Sequence, residues 1–374
     1  MSNLYFHFPF CKQACHYCNF HFSTNTKNQD SLWKAMNKEL TLRSEEINSP
    51  LESIYFGGGS PSLLDPKQIE EILTAVQSQF KVNKPLEITL EVNPDDVSAA
   101  YLSDLKYAGI NRLSLGVQSF LDKDLILMNR AHKAAQAFDA LDLISKKFTN
   151  YTLDLIYGLP YSTQMEWEQN LDLALSYNPP HLSAYALTVE KKTVLSTQIK
   201  NKEVLLLPEE AVENQYQLMV RKMTDLGYVN YEFSNFGKPH FFSLNNQNYW
   251  KGKPYVGIGP AAHSYDGEKI RKWNVSNNHL YLKAIQENKL SFEEEQLTLK
   301  DRYNEYLMTG LRTVEGISLL YVQEIFGKLF ATYLEEQASR HLEARYFYWD
   351  GDYLKIHQSA KFLTDGLAAD LFMV

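Results

Sequence analysis

Leu4-Tyr5-Phe6-His7-Phe8-Pro9-Phe10-Cys11-Lys12-Gln13-Ala14-Cys15-His16-Tyr17-Cys18 is the stretch on which the reading of this chain turns. Leu4–Phe8 is a short apolar run of strand character. The loop that follows holds all three cysteines of the chain, within eight consecutive residues. An odd number so tightly spaced argues against a disulfide framework and for metal or redox chemistry. Thiolates are the preferred ligands of iron–sulfur clusters, and a four-iron cluster normally takes four of them. With three, one iron must find an external ligand, and such an open position separates a reactive metal site from a closed structural one. Zinc competes for the same residues, with His16 or His21 as a fourth ligand. Three buried cysteines without any ligand would sit poorly beside Lys12-Gln13-Ala14.

Outward from this loop, apolar runs alternate with amphipathic stretches as far as about residue 190. Strands are expected at Leu4–Phe8, Ser53–Phe56, Leu86–Glu91, Arg112–Gly116, Thr152–Ile156 and Leu182–Leu187. Helices are expected between them at Ser31–Glu46, Pro66–Phe80, Ser98–Ala108, Ala131–Lys146 and Gln164–Leu175. This alternation predicts an α/β fold with a parallel sheet. Six repeats point to a partial (β/α)6 TIM-like barrel, with ligand groups at the carboxyl ends of its strands. The glycine loop Gly57-Gly58-Gly59-Ser60, Glu91, Gln118 and Asp154 all fall at or near such ends.

The rhythm then changes. A helix is expected near Pro208–Leu226, followed by an aromatic segment from Tyr228 to Tyr265. From about Leu297, helices precede a hairpin over Tyr346–Ile356, with its turn at Asp350-Gly351. The expected division is a barrel over 1–230, a barrel-covering segment over 231–296 and a winged-helix-like domain over 297–374.

The 374 residues, 44% hydrophobic and 22% charged, have ordinary globular composition. A net charge of -8 gives no basic surplus for nucleic acid. No apolar run is long enough to span a membrane, and the amino terminus lacks a signal-peptide pattern, so a cytoplasmic protein is expected.

The segment from Tyr5 to Cys18 resembles the signature of the radical S-adenosylmethionine (SAM) family. The resemblance is to the branch that contains oxygen-independent coproporphyrinogen III oxidase and the haem chaperone HemW, and it covers nearly the whole chain. It implies a [4Fe-4S] cluster on Cys11, Cys15 and Cys18. It also implies SAM chelated to the open iron, for reductive cleavage to a 5′-deoxyadenosyl radical. Gly58, Gly59 and Ser60 resemble the family's glycine segment at the cofactor. On its own such a loop is often only a turn. Glu91, Gln118, Arg130 and Asp154 match positions that contact the cofactor. Arginine suits a carboxylate through paired charge-assisted bonds, and a carboxylate in an apolar strand needs partners such as ribose hydroxyls. Taken alone, Glu91 would read as a solvated loop acid. Tyr5 and Tyr17 also match contacting positions, against which stands simple aromatic packing.

Within the branch, the oxidase resembles Cys-x3-Cys-x2-Cys-x-Cys with a longer arm before it. Here Phe20 stands at the last position, as in HemW-like proteins, and only ten residues precede Cys11. The resemblance therefore implies a haem chaperone handing haem to acceptor proteins, with radical oxidative decarboxylation of a porphyrinogen as the alternative. Whether the chain is an enzyme stays open on this reading. A homodimer and peripheral membrane association are further implications. HemW-like proteins have a His-Asn-x-x-Tyr-Trp segment whose histidine is implicated in haem binding; here Asn245 stands in its place, before Asn246, Tyr249 and Trp250. An amide is a poor iron ligand. His263 and His240 are the substitutes, with His263 favoured because its segment is shared with the family.

Overall fold

A computed structural model describes residues 2–47 and 49–374. Its first half is built from strand–helix units: β1 (Ser2–Phe8), α1 (Gln29–Leu42), β2 (Leu51–Gly58), α2 (Pro66–Gln79), β3 (Val82–Val92), α3 (Ala99–Ala108), β4 (Arg112–Gln118), α4 (Asp122–Leu127), α5 (Ala134–Lys147), β5 (Tyr151–Tyr157), α6 (Gln164–Ser176) and β6 (His181–Ala186). Local chemistry sets the boundaries. Asp65 caps α2 through a capping box with Gln68, ahead of Pro66, and Thr163 with Glu166 does the same for α6. Gly109, at φ 108°, ends α3 in a conformation that side chains disfavour.

Strands β1 to β6 pair in parallel and in order. Their period-two alternation separates two faces. Leu4, Phe6 and Phe8, Ile54 and Phe56, Leu113 and Leu115, and Leu153 and Leu155 join one hydrophobic core beneath the helices. Full burial of each stabilises by about 1.5–3 kcal/mol. The alternate residues Asn3, Ser53, Glu87, Arg112, Thr152 and His181 face inward, followed by Tyr5, Tyr55, Thr89, Ser114, Asp154 and Ser183. The lumen is therefore polar, the condition for holding a polar ligand inside a barrel.

The chain continues through α7 (Val194–Lys200), α8 (Glu209–Asp225), β7 (Val229–Glu232), β8 (Asn235–Gly237), α9 (Leu244–Trp250), β9 (Tyr255–Ile258), β10 (His263–Tyr265), β11 (Ile270–Asn274), α10 (Asn278–Gln286) and β12 (Phe292–Gln296). Segment 231–296 does more than cover the barrel. β8 joins β6 antiparallel, while β9 joins β1 in parallel and extends through β10 and β11 to β12, so the sheet has twelve strands. Between the two edges, α9 crosses the amino end of the lumen. The backbone N–H groups of Leu244 and Asn245 bond the Glu87 carboxylate, and Asn248 bonds Asn3. Pairing at both edges protects strands that would otherwise offer free backbone groups.

The carboxyl-terminal part has its own core, including Tyr303, Leu307, Val322, Leu334, Phe347 and Leu354. It contains α11 (Leu299–Leu311), β13 (Ile317–Ser318), α12 (Leu319–Phe326), α13 (Lys328–Glu343), β14 (Phe347–Asp350), β15 (Tyr353–Ile356) and α14 (Thr364–Ala369). The hairpin forms, but its turn is one residue later than expected. Asp350 already pairs with Tyr353, so Gly351-Asp352 is the two-residue loop, with Gly351 at φ 61°. Asp352 is diverted to the start of α12, where its carboxylate accepts from the Leu320 N–H.

Candidate functional site

The cysteine loop leaves β1 at Pro9 and is tied down by residues far away in sequence. Phe10 bridges to Ser23, and Cys11 N–H bonds Ser23 O at 3.1 Å. Gln13 Nε2 donates to both the carbonyl and the side-chain oxygen of Asn129, while Asn129 Nδ2 returns a bond to Ala14 O at 2.8 Å. His16 N–H bonds Met128 O, and His16 Nδ1 lies 3.0 Å from Leu127 O. The anchor for the Gln13–His16 stretch is the carboxyl end of α4, a helix absent from the sequence-based expectation. Asn129 adopts φ 55° to turn back from it, a conformation asparagine tolerates better than most residues. A small apolar cluster of Leu125, Met128, Ile156 and Leu159 supports the loop, with Tyr17 packed on it.

Beside the loop, two glycines permit backbone to lie on backbone. A Cβ on Gly59 would sit 2.6 Å from Phe10 O, and Gly59 N–H bonds Phe8 O. Gly58 has φ 107°, and a Cβ there would meet the His7 ring at 2.7 Å. Ser60 N–H then bonds Phe10 O at 2.7 Å, leaving its hydroxyl to accept from Asn93 Nδ2. Asn93 Oδ1 in turn accepts from Arg130 Nη2 at 2.7 Å. Arg130 Nη2 also bonds Gly116 O, and Nη1 reaches Tyr17 Oη at 3.4 Å and Cys15 Sγ at 3.5 Å. One arginine thus joins the cysteine loop, the glycine loop and β4.

These groups border one cavity of about 500 Å3, rimmed at its carboxyl end by Cys11, Cys15 and Cys18. Gly58, Gly59, Ser60, Glu91, Gln118, Arg130, Asp154 and Tyr17 all line it. Tyr5 stands beside this lining, half-buried: its ring stacks on Tyr55, and its hydroxyl lies 3.2 Å from His7 Nδ1. Glu91 is no solvated acid. Burial lifts its carboxyl to about 7, and the Asp154 charge adds to this, against bonds from the Tyr55 hydroxyl and Gly58 N–H. Burial likewise raises Asp154; its Oδ2 accepts from Ser114 while Oδ1 has no partner. Burial pushes the Cys11 thiol up to about 11 and also raises Cys18. Such thiols give up their protons readily only to a metal.

Three contributors escaped the sequence reading. Asn93 and Tyr55 position Ser60, Arg130 and Glu91, and Gln13 pins the cysteine loop. Asn93 alone carried a signal, since it stands two residues after Glu91 in the same motif. His16 Nδ1 hydrogen-bonds Leu127 O and His21 Nε2 hydrogen-bonds Asn278 Oδ1, each leaving the other ring nitrogen free of these bonds.

Two family models match the chain: Radical SAM superfamily over residues 5–174 and HemN C-terminal domain over 297–363. The haem chaperone HemW of Bacillus subtilis is 34% identical over 351 residues, 91% of this chain and 92% of that protein. HemW of Lactococcus lactis is 33% identical over 96% of this chain and 94% of its own length. The chain belongs to the radical SAM superfamily, in its HemW branch. The mitochondrial radical SAM domain-containing protein 1 of Danio rerio is 31% identical over 87% of the chain and 78% of that protein. The solved coproporphyrinogen III oxidase of Escherichia coli superposes with a TM-score of 0.85 at 21% identity, over 100% of this chain and 90% of that one. At that identity it establishes a shared fold.

Membership of the radical SAM superfamily implies a [4Fe-4S] cluster and SAM. The HemW-branch site has a chemistry that fits both: an all-thiol donor set at the rim, and behind it a buried cavity holding an unpartnered carboxylate oxygen of Asp154 and an arginine. In place of a further cysteine, Phe20 stands at the cavity mouth, 66% exposed.

Proposed function

We propose that this chain is a haem chaperone of the HemW kind, which binds a [4Fe-4S] cluster through Cys11, Cys15 and Cys18, binds SAM beside it, and passes haem to acceptor proteins. The observation that carries the reading is the single cavity rimmed by the only three thiols of the chain and lined by Gly58, Gly59, Ser60, Glu91, Gln118, Arg130 and Asp154. When bound, the cluster and SAM would supply one-electron reductive chemistry. The protein's own part is positioning. Arg130, held by Asn93 and Gly116, offers a charge fixed in direction to the SAM carboxylate. Glu91 and Asp154 offer acceptors to cationic and hydroxyl groups. The wall of Tyr55 and Tyr17 excludes water, which strengthens each of these interactions.

Haem binding is assigned to His263 rather than to Asn245. Asn245 sits on α9 at the amino end of the barrel, opposite the thiols, with its backbone N–H on Glu87. His263 is exposed on β10, and its ring stacks on Trp273 at 6.0 Å. Partial desolvation of the ring, with the Arg271 charge, lowers its pKa and favours the neutral imidazole that ligates iron. The division into 1–230, 231–296 and 297–374 belongs to the same proposal, supported by the separate carboxyl-terminal core. So do a cytoplasmic location, a homodimer and peripheral membrane contact; no described helix is long and apolar enough to cross a membrane.

The test is a haem titration of wild type and the His263→Ala and Asn245→His variants, read by absorbance. The reading expects loss in the first variant and a gain or no change in the second. Conversion of coproporphyrinogen to protoporphyrinogen by the reconstituted protein, with SAM and a reductant, would contradict the chaperone assignment.

A further inference from the structure

The cysteine loop is fastened on one side to the end of α4, through Gln13 and His16. On its other side a charged contact crosses the mouth of the cavity, and none of the roles assigned so far uses it. Lys12, between Cys11 and Cys15, reaches the turn after β3. There its Nζ lies 2.9 Å from Asp95 Oδ2 and also contacts Asp96 Oδ1. Lys12 and Asp95 both border the cavity. This is no ordinary surface pair. The Asp96 side chain is 4% exposed and that of Asp95 12%, against 45% for Lys12. Two neighbouring carboxylates so far removed from water disfavour each other's charge, and one shared cation relieves both.

Asp96 is also a junction. Its Oδ2 accepts from the Ser62 hydroxyl at 2.5 Å, just beyond the glycine loop, and from Asn93 Nδ2 at 3.5 Å. Asn93 Oδ1 holds Arg130, and Arg130 Nη1 returns to Cys15 Sγ. The contacts therefore close a ring, from Lys12 through Asp96, Asn93 and Arg130 to Cys15 and back along the loop backbone. Lys12 is its exposed corner; the other members are half-buried. A ring of this kind opens first where water and salt can reach it.

We propose that Lys12 is a positioning residue, which clasps the cysteine loop to Asp95 and Asp96 and so slows opening of the loop and loss of the cluster. The inference rests on the reading of Cys11, Cys15 and Cys18 as cluster ligands. Lys12 acts through the backbone that carries Cys11 and Cys15, and through Asp96 on the groups that aim Arg130. Its contribution is electrostatic and open to screening, whereas the hydrogen bonds between Gln13 and Asn129 on the opposite side are neutral. The two fastenings of one loop therefore respond differently to salt.

The experiment uses the full chain, reconstituted anaerobically, and times iron release to a ferrous chelator. It is run at about 0.1 M and about 1 M potassium chloride, between which the screening length falls from about 10 Å to about 3 Å. At the lower salt Lys12→Met releases iron about fivefold faster than wild type, the upper range for a partly exposed ion pair. Lys12→Arg keeps most of the wild-type retention. Raising the salt speeds release from wild type and leaves Lys12→Met unchanged, a pattern that lost packing alone does not produce. Asp96→Asn, which keeps an oxygen for Ser62 but no charge for Lys12, behaves as Lys12→Met does. Equal release by wild type and Lys12→Met at the lower salt, or a wild-type rate indifferent to salt, overturns the proposal. Hydrogen exchange of the Cys11–Cys18 amides in metal-free protein puts the same question without the cluster. Faster exchange in Lys12→Met supports the clasp, and equal exchange overturns it. A chain that takes up no iron and sulfide refutes the cluster reading by itself, and the metal-free measurement still decides on the clasp.

Discussion

The two ends of the barrel lumen are built from the same six strands but solve opposite problems. At the carboxyl end, two loops are pressed together by backbone contacts that admit only glycine, and Arg130 ties them to β4. At the amino end, α9 lies across the opening and its backbone donors satisfy Glu87. The first end depends on residues with special conformations or chemistry, the second on ordinary polar residues made special by burial. An open end can exchange a cofactor; a plugged one can only enclose what enters from above.

The largest way to break this contrast is Cys15→Ala. It removes one of three cluster ligands, and reconstituted protein should lose essentially all iron and sulfide while circular dichroism stays near wild type. Gly59→Ala comes next. Its Cβ would press on Phe10 O, and overpacking costs about 1–3 kcal/mol, read as a lower urea midpoint together with weakened cluster retention. Arg130→Gln removes the charged bonds to Asn93 and Gly116 and should weaken SAM binding by about tenfold to a hundredfold.

A pH series sharpens the role of Glu91. Burial holds its carboxyl at about 7. Below that pH it is neutral, and a cationic ligand must expel its proton to gain the charge. SAM affinity should therefore rise with pH, by up to about tenfold per unit below 7, and flatten above. Subtracting a Glu91→Gln series leaves the contribution of this group alone. The smallest effect belongs to Gly351→Ala in the distant hairpin. Nothing obstructs a Cβ there, so only the strain of φ 61° remains. A loss of about 1 kcal/mol with unchanged SAM affinity would show that the lumen is insulated from the carboxyl-terminal module.

How much of this could be read from the chain differs between the same two ends. Strand positions at the thiol end were legible because glycine loops, cysteines and isolated carboxylates stand out against apolar runs. The residues expected at the cofactor line one cavity, with Tyr5 stacked on the lining residue Tyr55. The amino end left no such trace. Arg112 and Thr89 look like any strand residues until the ladder puts them side by side, and Glu87 gains its partners from a helix more than 150 residues later. The parallel addition of β9 to β1 was hidden for the same reason: a four-residue strand owes its place to its neighbours. The hairpin turn was misplaced by one residue because Asp350-Gly351 and Gly351-Asp352 are both good turn pairs, and only the cap at Leu320 selects the second.

The most direct test of the account is the composition of the anaerobically reconstituted wild-type protein, followed by electron paramagnetic resonance of its reduced form with and without SAM. The account predicts about four irons and four sulfides per chain, as a cubane cluster on three thiols and one open iron requires, and a signal that changes when SAM is added. Stoichiometric zinc without sulfide, or a complete cluster whose signal is indifferent to SAM, would contradict it.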